Sequence, residues 1–291
     1  MSGENLAKII SGKEIAKVDI VTVVGQVGDR EDSAIYIRMK CRMAANIGAK
    51  AEHLHYPRSI SQEKLIEEIE KLNEDPEVNG IIVQLPLDSE NKIDGDLITN
   101  IVSPLKDVDG IHDVNAGKLL HGQLKGFFIA CTPYGCLELI KRTGVEIKGA
   151  KAVVIGRSKI VGSPMAQLLT WNHATVTVCH SRTKDIASIV READILVVAA
   201  GQPQMVKGDW IKPGAVVIDC GTTPIPDSSR ASGTRLSGDV DYEAARRVAS
   251  YITPVPGGVG PMTVIMLIRN TVLAAKQQMV TVFSDCCYLP T

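Results

Sequence analysis

The spacing of apolar residues in the first half of the chain alternates between two patterns. Residues 18–27 and 80–85 are continuous apolar runs rich in β-branched side chains, the second of which stops at Pro86, and such runs are typical of buried strands. In residues 32–47 and 65–72, apolar side chains recur at every third or fourth position. These segments predict strands that alternate with amphipathic helices.

Four apolar runs in the second half have the length of buried strands, and they comprise residues 151–155, 174–179, 193–199 and 215–220. Helical stretches separate the earlier runs, and strands alternating with helices form a parallel sheet that is covered on both faces. Residues 131–143 predict a preceding helix, with Thr132 as N-cap and Pro133 in its first turn. Residues 264–278 return to helical spacing, whereas residues 280–291 do not resemble a helix end. The predicted fold class is therefore α/β, doubly wound in its second half.

Composition and charge narrow the class of protein. The chain has 291 residues, of which 45% are hydrophobic and 22% charged, as in soluble globular proteins. With 32 basic and 33 acidic residues, it has no overall field that would attract nucleic acid or an anionic membrane. No apolar run approaches the ~20 residues that span a bilayer, and residues 1–17 contain no signal core. Seven cysteines, an odd number, favour free thiols, so we expect a cytoplasmic protein.

Two histidines raise the question of a metal site. His53 and His55 alternate in a predicted strand and therefore point to one face of it. No further ligand lies at short range in the sequence, so an exposed strand face explains the pair better than a metal does. We expect no metal.

A glycine loop runs from Gly156 to Gly162, between the strand at 151–155 and a helix for which Ser163 is the predicted N-cap and Pro164 a first-turn residue. Glycines let the backbone approach a pyrophosphate, and a helix N-terminus favours its negative charge. The Gly-x5-Gly spacing alone is equally compatible with an ordinary strand-to-helix turn. Its position at the head of four strand units favours a dinucleotide site.

The end of the second strand in this domain bears on the choice of cofactor. An acidic side chain there would bind the ribose 2′-hydroxyl of NAD, but residues 179–182 contain no acid. Arg157 and Arg182 can supply charge, and Ser158 and Ser181 hydroxyl groups, to a 2′-phosphate. The alternative is that these side chains are solvated loop residues. The pattern favours NADP.

Candidate catalytic residues lie in short motifs of the first half and in one later loop. Tyr36 and Lys40 share a helix face, Gln84 ends a buried strand, and Asp109 lies in the charged turn 106–110. Residues 254–263 form a Gly/Pro loop before a helix. Each feature alone has an ordinary explanation as a helix-surface pair, a strand-end amide, a turn former or a rigid linker.

Together, in this order and around that glycine loop, the motifs resemble those of the bifunctional methylenetetrahydrofolate dehydrogenase/methenyltetrahydrofolate cyclohydrolase family. The resemblance runs from about Gly28 to Lys276 and is strongest to the form contained in the eukaryotic cytosolic trifunctional enzyme. It implies a folate-binding catalytic α/β domain at 1–131, completed by the C-terminal helix 263–291, and a Rossmann-type NADP-binding domain at 132–262. It also implies oxidation of 5,10-methylenetetrahydrofolate with NADP⁺, followed by hydrolysis of the methenyl product to 10-formyltetrahydrofolate.

The resemblance also implies roles for single residues. Lys40 matches the general acid/base, Tyr36 the tyrosine that packs on the folate, Gln84 the glutamine that contacts the lysine, and Asp109 the carboxylate that holds the pterin. The loop residues that would line the folate site are Pro256, Gly257, Gly258 and Pro261. The residues that would bind the cofactor are Gly156, Arg157, Ser158, Ile160, Val161, Gly162, Ser181, Arg182 and Gly201. The family further implies a homodimer through the NADP domain and tetrahydrofolate substrates with or without a polyglutamate tail.

The sequence departs from the family pattern in its first domain. Family members carry a long helix before the first strand, whereas here residues 11–17 run almost directly into residue 18, so roughly two dozen residues are lacking, which is several helical turns. Residues 221–223 also lack the usual asparagine. One alternative is therefore a variant that binds NADP or folate with impaired turnover. A short-chain dehydrogenase, suggested by Tyr36 and Lys40, is disfavoured because its glycine loop precedes that pair.

Overall fold

A computed structural model describes residues 20–230 and 233–286, without the side chains of Glu31, Asp32, Ile35 and residues 280–286. The chain divides into two compact units. The first unit comprises the residues up to Val108 and those from Thr271 onward, and the second comprises Asp109–Asn270. The shortened segment at 11–17 lies outside the described residues, so that expectation stays a prediction.

The first unit is built on a parallel sheet of three strands with helices between them. Its elements are β1 (Val21–Val27), α1 (Glu31–Asn46), β2 (Lys50–Tyr56), α2 (Gln62–Glu74), β3 (Val78–Val83) and α3 (Gly95–Ile101). The strand order is β2-β1-β3, and β3 is buried along its whole length. Ser61 caps α2, since its Oγ accepts a hydrogen bond from Lys64 N at 3.1 Å. The predicted strands and helices of this half are confirmed.

The second unit is built on a parallel sheet of five strands. Its elements are α4 (Asp113–Leu120), α5 (Cys131–Arg142), β4 (Lys151–Ile155), α6 (Gly162–Trp171), β5 (Thr175–Cys179), α7 (Ile186–Val190), β6 (Ile195–Val198), β7 (Val216–Asp219), the antiparallel hairpin β8 (Thr223–Pro226) and β9 (Thr234–Ser237), α8 (Tyr242–Ala245), β10 (Tyr251–Ile252) and the start of α9 (Val259–Cys286). All four predicted strands are confirmed. The hairpin and the two-residue β10 were not predicted, because they are too short for a clear period.

The strand order of this sheet is β10-β7-β6-β4-β5, so the chain leaves β4 for one neighbour and then crosses back to the other. Val154 and Val197 face one apolar core, whereas Val153 and Leu196 face a second on the opposite side. This alternation confirms the doubly wound α/β prediction. In such sheets a ligand binds beyond the carboxyl ends of the strands where the order reverses, which here is the end of β4.

The predicted boundaries of α5 and α9 are wrong. Helix α5 begins at Cys131, after Ala130, without a side-chain cap, so Thr132 is not its N-cap. Instead, the Thr132 hydroxyl lies 3.1 Å from that of Thr263. Helix α9 begins at Val259, before the predicted start at residue 263, and it continues to Cys286, past residue 278. No glycine or proline lies between Pro261 and Pro290 to stop it, which explains the continuation.

The two compact units do not have the bounds of the predicted domains, and the predicted boundary at residue 131 stays a prediction. Leu119, Phe127 and Ile129 belong to an apolar core of the second unit, together with Val154 of β4 and Leu168 of α6. Residues 109–131 therefore pack with the sheet of the second unit. Likewise, the first unit takes α9 from Thr271 onward, and not from residue 263.

Candidate active site

A hydrogen bond joins Lys40 and Gln84 in the first unit. Lys40 lies on α1 and is only 9% exposed, and its Nζ donates to Gln84 Oε1 at 3.0 Å. Gln84 directly follows β3, where its backbone N donates to Gly25 O of β1 at 2.9 Å. Its Nε2 donates to Leu85 O at 2.9 Å, which leaves Oε1 turned to the lysine. The sheet thus holds the amide in place for a buried amine.

The same face of α1 carries further polar groups. Tyr36 is half-buried one turn before Lys40, and Ser33 is buried one turn before Tyr36. Positions three or four apart on a helix lie above one another, so the three side chains form a row. Ser33 was not among the predicted site residues, although helical spacing from Tyr36 and Lys40 would have found it.

A buried lysine anchors the segment that leads to Asp109. The Nζ of Lys106 donates to Leu72 O at 2.9 Å and to Asp75 O at 2.6 Å, the carbonyls at the end of α2. Burial lowers the pKa of the Lys106 amine. Its own carbonyl accepts from Ile81 N at 2.7 Å, so residues 106–108 extend the sheet beside β3. Residues 108–109 form the predicted turn, and Asp107 makes a single bridge to Ile81 of β3.

Asp109 and the Gly/Pro loop belong to the second unit. Asp109 is partly exposed, and its carbonyl accepts from Cys131 N at 3.2 Å, at the start of α5. In the loop, the bond from Val255 to Pro256 is cis. Gly258 N then donates to Pro254 O at 2.9 Å in a tight turn.

Helix α9 starts directly after this turn, at Val259, so Pro261 lies in its first turn, where proline is well tolerated. Gly257 has open space where a side chain would be. The predicted folate residues are thus divided between the two units. Lys40, Tyr36 and Gln84 belong to the first, and Asp109 and residues 256–261 to the second.

The glycine loop after β4 is closed on itself. Gly156 has φ +115°, and a Cβ on it would lie 2.2 Å from Ala199 O. A Cβ on Gly162 would lie 2.3 Å from Gly156 O, so the first and last glycines of the loop touch. Only glycine fits at either position. At the carboxyl end of β4, Gly156 and Gly162 therefore present backbone that no side chain covers at these two positions.

Ser158, and not the predicted Ser163, supplies the side-chain oxygen at the start of α6. Ser158 Oγ accepts from Val161 N at 3.2 Å and from Gly162 N at 3.4 Å. Ser163 Oγ instead donates to Arg157 O at 3.0 Å. The Ser163 prediction is wrong because the helix begins two residues earlier than predicted, at Gly162, after the non-capping Val161. Ile160 and Val161 are half-exposed in the same loop.

The two arginines predicted to bind NADP follow neighbouring strands. Ile155 of β4 pairs with Cys179 of β5, and Gly156 N donates to Cys179 O at 2.8 Å. Arg157 and Ser158 therefore leave the sheet beside the turn that contains Ser181 and Arg182. All four side chains are exposed. The arrangement presents two cations and two hydroxyl groups at one edge of the sheet.

Gly201 lies beyond the end of β6 with φ +65°. Its N–H donates to the buried carboxylate of Asp239 at 2.8 Å. Asp239 was not predicted, since no spacing in the sequence relates it to β6. Within the described ranges, no group of three His, Cys, Asp or Glu side chains could hold a metal ion.

Two family models match the chain. The model described as "Tetrahydrofolate dehydrogenase/cyclohydrolase, catalytic domain" matches residues 3–109. The model described as "Tetrahydrofolate dehydrogenase/cyclohydrolase, NAD(P)-binding domain" matches residues 130–279. Between them they cover most of both units.

Curated relatives agree with these matches. The cytoplasmic C-1-tetrahydrofolate synthase of Spodoptera frugiperda is 60% identical over 91% of this chain, and that of Homo sapiens is 57% identical over 87%. The chain spans only 28% and 27% of the length of these two relatives. Bifunctional protein FolD 2 of Arabidopsis thaliana is 49% identical over 95% of this chain and 98% of its own length.

Two solved structures have the same fold. The bifunctional FolD of Campylobacter jejuni superposes with a TM-score of 0.84 at 41% identity, over 91% of this chain and 92% of its own. The Trypanosoma brucei FolD, complexed with NADP cofactor and inhibitor, has a TM-score of 0.86 at 43% identity, over 92% and 94%. In the part of the chain that the structure describes, no helix is long and apolar enough to cross a bilayer.

Proposed function

Because the chain belongs to the tetrahydrofolate dehydrogenase/cyclohydrolase family, we propose that it oxidises 5,10-methylenetetrahydrofolate with NADP⁺ and hydrolyses the methenyl product to 10-formyltetrahydrofolate. The observation that carries this proposal is the partly buried hydrogen bond from Lys40 to Gln84, inside a domain that matches the family's catalytic domain. It supplies a positioned amine where the second reaction needs a proton carrier.

The residues of the second unit fit the cofactor. Gly156 and Gly162 leave no room for side chains at the end of β4, where a dinucleotide binds in doubly wound folds. Arg157, Ser158, Ser181 and Arg182 can bind a 2′-phosphate with charge and hydroxyl groups. When bound, NADP⁺ supplies the hydride acceptor. The task of the protein in this step is to hold the two rings in contact.

Hydrolysis of the methenyl group needs proton transfers that Lys40 can perform. Water adds to the cationic methenyl carbon and loses a proton, which gives a carbinol. The carbinol hydroxyl then loses its proton to form the formyl C=O while the bond from that carbon to N5 breaks and N5 gains a proton. Lys40 Nζ takes up and returns protons in this sequence, and Gln84 Oε1 holds the amine in one direction. The balance is one water consumed and one proton released.

The remaining predicted residues orient the folate. We propose that Tyr36 packs its ring on the pterin and that the Asp109 carboxylate accepts hydrogen bonds from the pterin N–H groups. Pro256, Gly257, Gly258 and Pro261 would present backbone and apolar surface to it. The impaired-variant alternative is not favoured, because the catalytic-domain match begins at residue 3 and Lys40 and Gln84 are in hydrogen-bond contact.

Further properties come with the proposal. The chain would act in the cytoplasm, as the names of its first relatives state for them. It would form a homodimer through the second unit, where the edge strand β5 exposes Val178. Polyglutamylated folates would be substrates, and the 10-formyl product would serve purine biosynthesis.

A dual assay of the purified chain tests the proposal. With methylenetetrahydrofolate and NADP⁺, we expect NADPH to form. With methenyltetrahydrofolate alone, we expect the methenyl absorbance to decay faster than in buffer. If NADPH formation does not exceed that without protein, and methenyl decay does not exceed that with a Lys40→Met protein handled in parallel, the proposal is wrong. If NADPH forms but methenyltetrahydrofolate is not hydrolysed, the proposed function is limited to the dehydrogenase reaction.

A further inference from the structure

The Asp239 carboxylate is fully buried beneath the loop that follows β6. Asp239 is 0% exposed, and its Oδ2 accepts hydrogen bonds from Ala200 N at 2.7 Å and from Gly201 N at 2.8 Å. One oxygen therefore binds two consecutive backbone donors. Hydrogen bonds to a charged acceptor are stronger than neutral ones, so this clamp sets the direction in which the chain leaves β6.

A second carboxylate holds Asp239 itself. Asp219, at the end of β7, accepts from Asp239 N at 3.0 Å through Oδ1 and from Val240 N at 2.9 Å through Oδ2. Its Oδ1 also accepts from Gly221 N at 2.9 Å. Gly238 admits no side chain here, since a Cβ would collide with Asp219 Oδ2. The Asp219 carboxylate at the end of β7 thus binds the backbone of residues 239–240, and the Asp239 carboxylate binds the backbone after the end of β6.

The clamped loop borders the predicted cofactor site. Ala199 O lies against Gly156, the first glycine of the loop after β4, so a movement of residues 199–201 would disturb that glycine. The N–H of Gly201 is occupied by Asp239 and is not available to a cofactor phosphate. Gly201 has φ +65°, and nothing lies within 4 Å of where its Cβ would be, so a ligand has open space beside its Cα.

The environment of the other oxygen of Asp239 distinguishes a carboxylate from an amide at this position. Asp239 Oδ1 is buried without a hydrogen-bond partner and lies where a Cβ on Gly221 would be 2.6 Å away. An asparagine amide would bury two N–H groups at this place without an acceptor, which costs free energy. A carboxylate adds no donor there and keeps the clamp.

We propose that Asp239 is a positioning residue for NADP⁺, which shapes the cofactor crevice by holding Ala200 and Gly201 from below. This inference rests on the proposed function. Asp239 does not touch the reacting atoms. Its loss should therefore weaken cofactor binding and leave the hydrolysis of methenyltetrahydrofolate, measured without NADP⁺, close to that of the wild type.

The test compares Asp239→Ala and Asp239→Asn with Asp241→Ala. Asp241 is a matched control because it is an aspartate of the same segment and its carboxylate caps α8 by accepting from Ala244 N at 3.3 Å, away from residues 200–201. Each protein is assayed for the KM for NADP⁺, the Kd for NADP⁺ by calorimetry, cyclohydrolase activity without cofactor, and Tm.

We expect Asp239→Ala to raise the KM and Kd for NADP⁺ about tenfold or more, as for loss of a charged hydrogen bond. Asp239→Asn should raise them less, and Asp241→Ala should not. Unchanged NADP⁺ affinity in Asp239→Ala overturns the inference. An equal loss of cyclohydrolase activity also overturns it, because a general structural role would then explain the effect. If the wild type lacks both activities, the proposed function fails, while the Kd values still decide on Asp239.

Discussion

Lys40 Nζ donates a 3.0 Å hydrogen bond to Gln84 Oε1 and so joins a helix to the end of a strand that lies 44 residues further along the chain. The acceptor is a neutral amide. It orients the amine and adds no counter-charge beside it.

Lys40→Met should abolish the cyclohydrolase activity, because methionine fills a similar volume but carries no proton. We expect a loss of about a hundredfold or more in the rate of methenyl decay. Binding of NADP⁺ to the second unit should stay near that of the wild type, as calorimetry would check. Hydrolysis at a near-normal rate would show that Lys40 is not the acid/base.

If the Asp109 carboxylate accepts hydrogen bonds from the pterin N–H groups, as proposed, Asp109→Ala should weaken folate binding. A hydrogen bond to a charged group contributes about 1.5–3 kcal/mol, so the KM for methylenetetrahydrofolate should rise about tenfold or more. Glu146→Ala is the control, because Glu146 is an exposed carboxylate of the same unit. A KM that does not differ between the two variants would contradict the role of Asp109.

Gly162→Ala should prevent NADP⁺ binding, because the new Cβ would lie 2.3 Å from Gly156 O and 2.7 Å from Arg157 N. The loop would have to open. Gly117→Ala is the matched control, as nothing lies within 4 Å of a Cβ at Gly117 in α4. Equal affinity of both variants for NADP⁺ in calorimetry would place the cofactor elsewhere.

Arg182→Ala should change cofactor preference. If Arg182 pairs with the 2′-phosphate, the variant should lose about tenfold or more in kcat/KM with NADP⁺ and little with NAD⁺, which lacks that phosphate. Steady-state rates with both cofactors measure the ratio. A wild-type enzyme that strongly prefers NAD⁺ would refute the assignment before any substitution.

Asp194 should make stability depend on acid pH. A hydrogen bond from the Lys212 ammonium, aided by the Lys151 amide, holds the pKa of the Asp194 carboxyl below its ordinary value of 3.8. A lowered folded-state pKa stabilises the protein fully above the ordinary value, and this contribution is lost as the pH falls through the folded value.

Asp194→Asn should therefore lower the free energy of unfolding near neutral pH, and the difference from the wild type should shrink below pH 3.8. Solvent screens the partly exposed pair, so we expect less than about 1 kcal/mol. Urea unfolding at both pH values measures it, with the exposed Glu146→Gln as control. A difference that persists unchanged in acid would rule out the ion pair as its cause.

The sequence by itself determined the elements and the family. Strand runs such as 151–155 and helix stripes such as 32–47 are local periodic patterns, and burial in this fold follows them directly. The candidate site residues, which are Gly156, Gly162, Tyr36, Lys40, Gln84 and Asp109, could be proposed because each lies in a short motif that is contiguous in the chain.

Only the tertiary structure decided which distant groups meet. The Asp239 clamp on residues 200–201, the Lys106 contacts with the end of α2, and the division of the chain at residue 108 all depend on packing between segments far apart in sequence. Likewise, Ser158 and not Ser163 accepts hydrogen bonds from the N–H groups at the start of α6. The three-dimensional course of the loop, and not residue preference, decides which hydroxyl reaches them. Periodicity reports how each segment is buried, but hydrogen bonds between segments form only after the chain has folded.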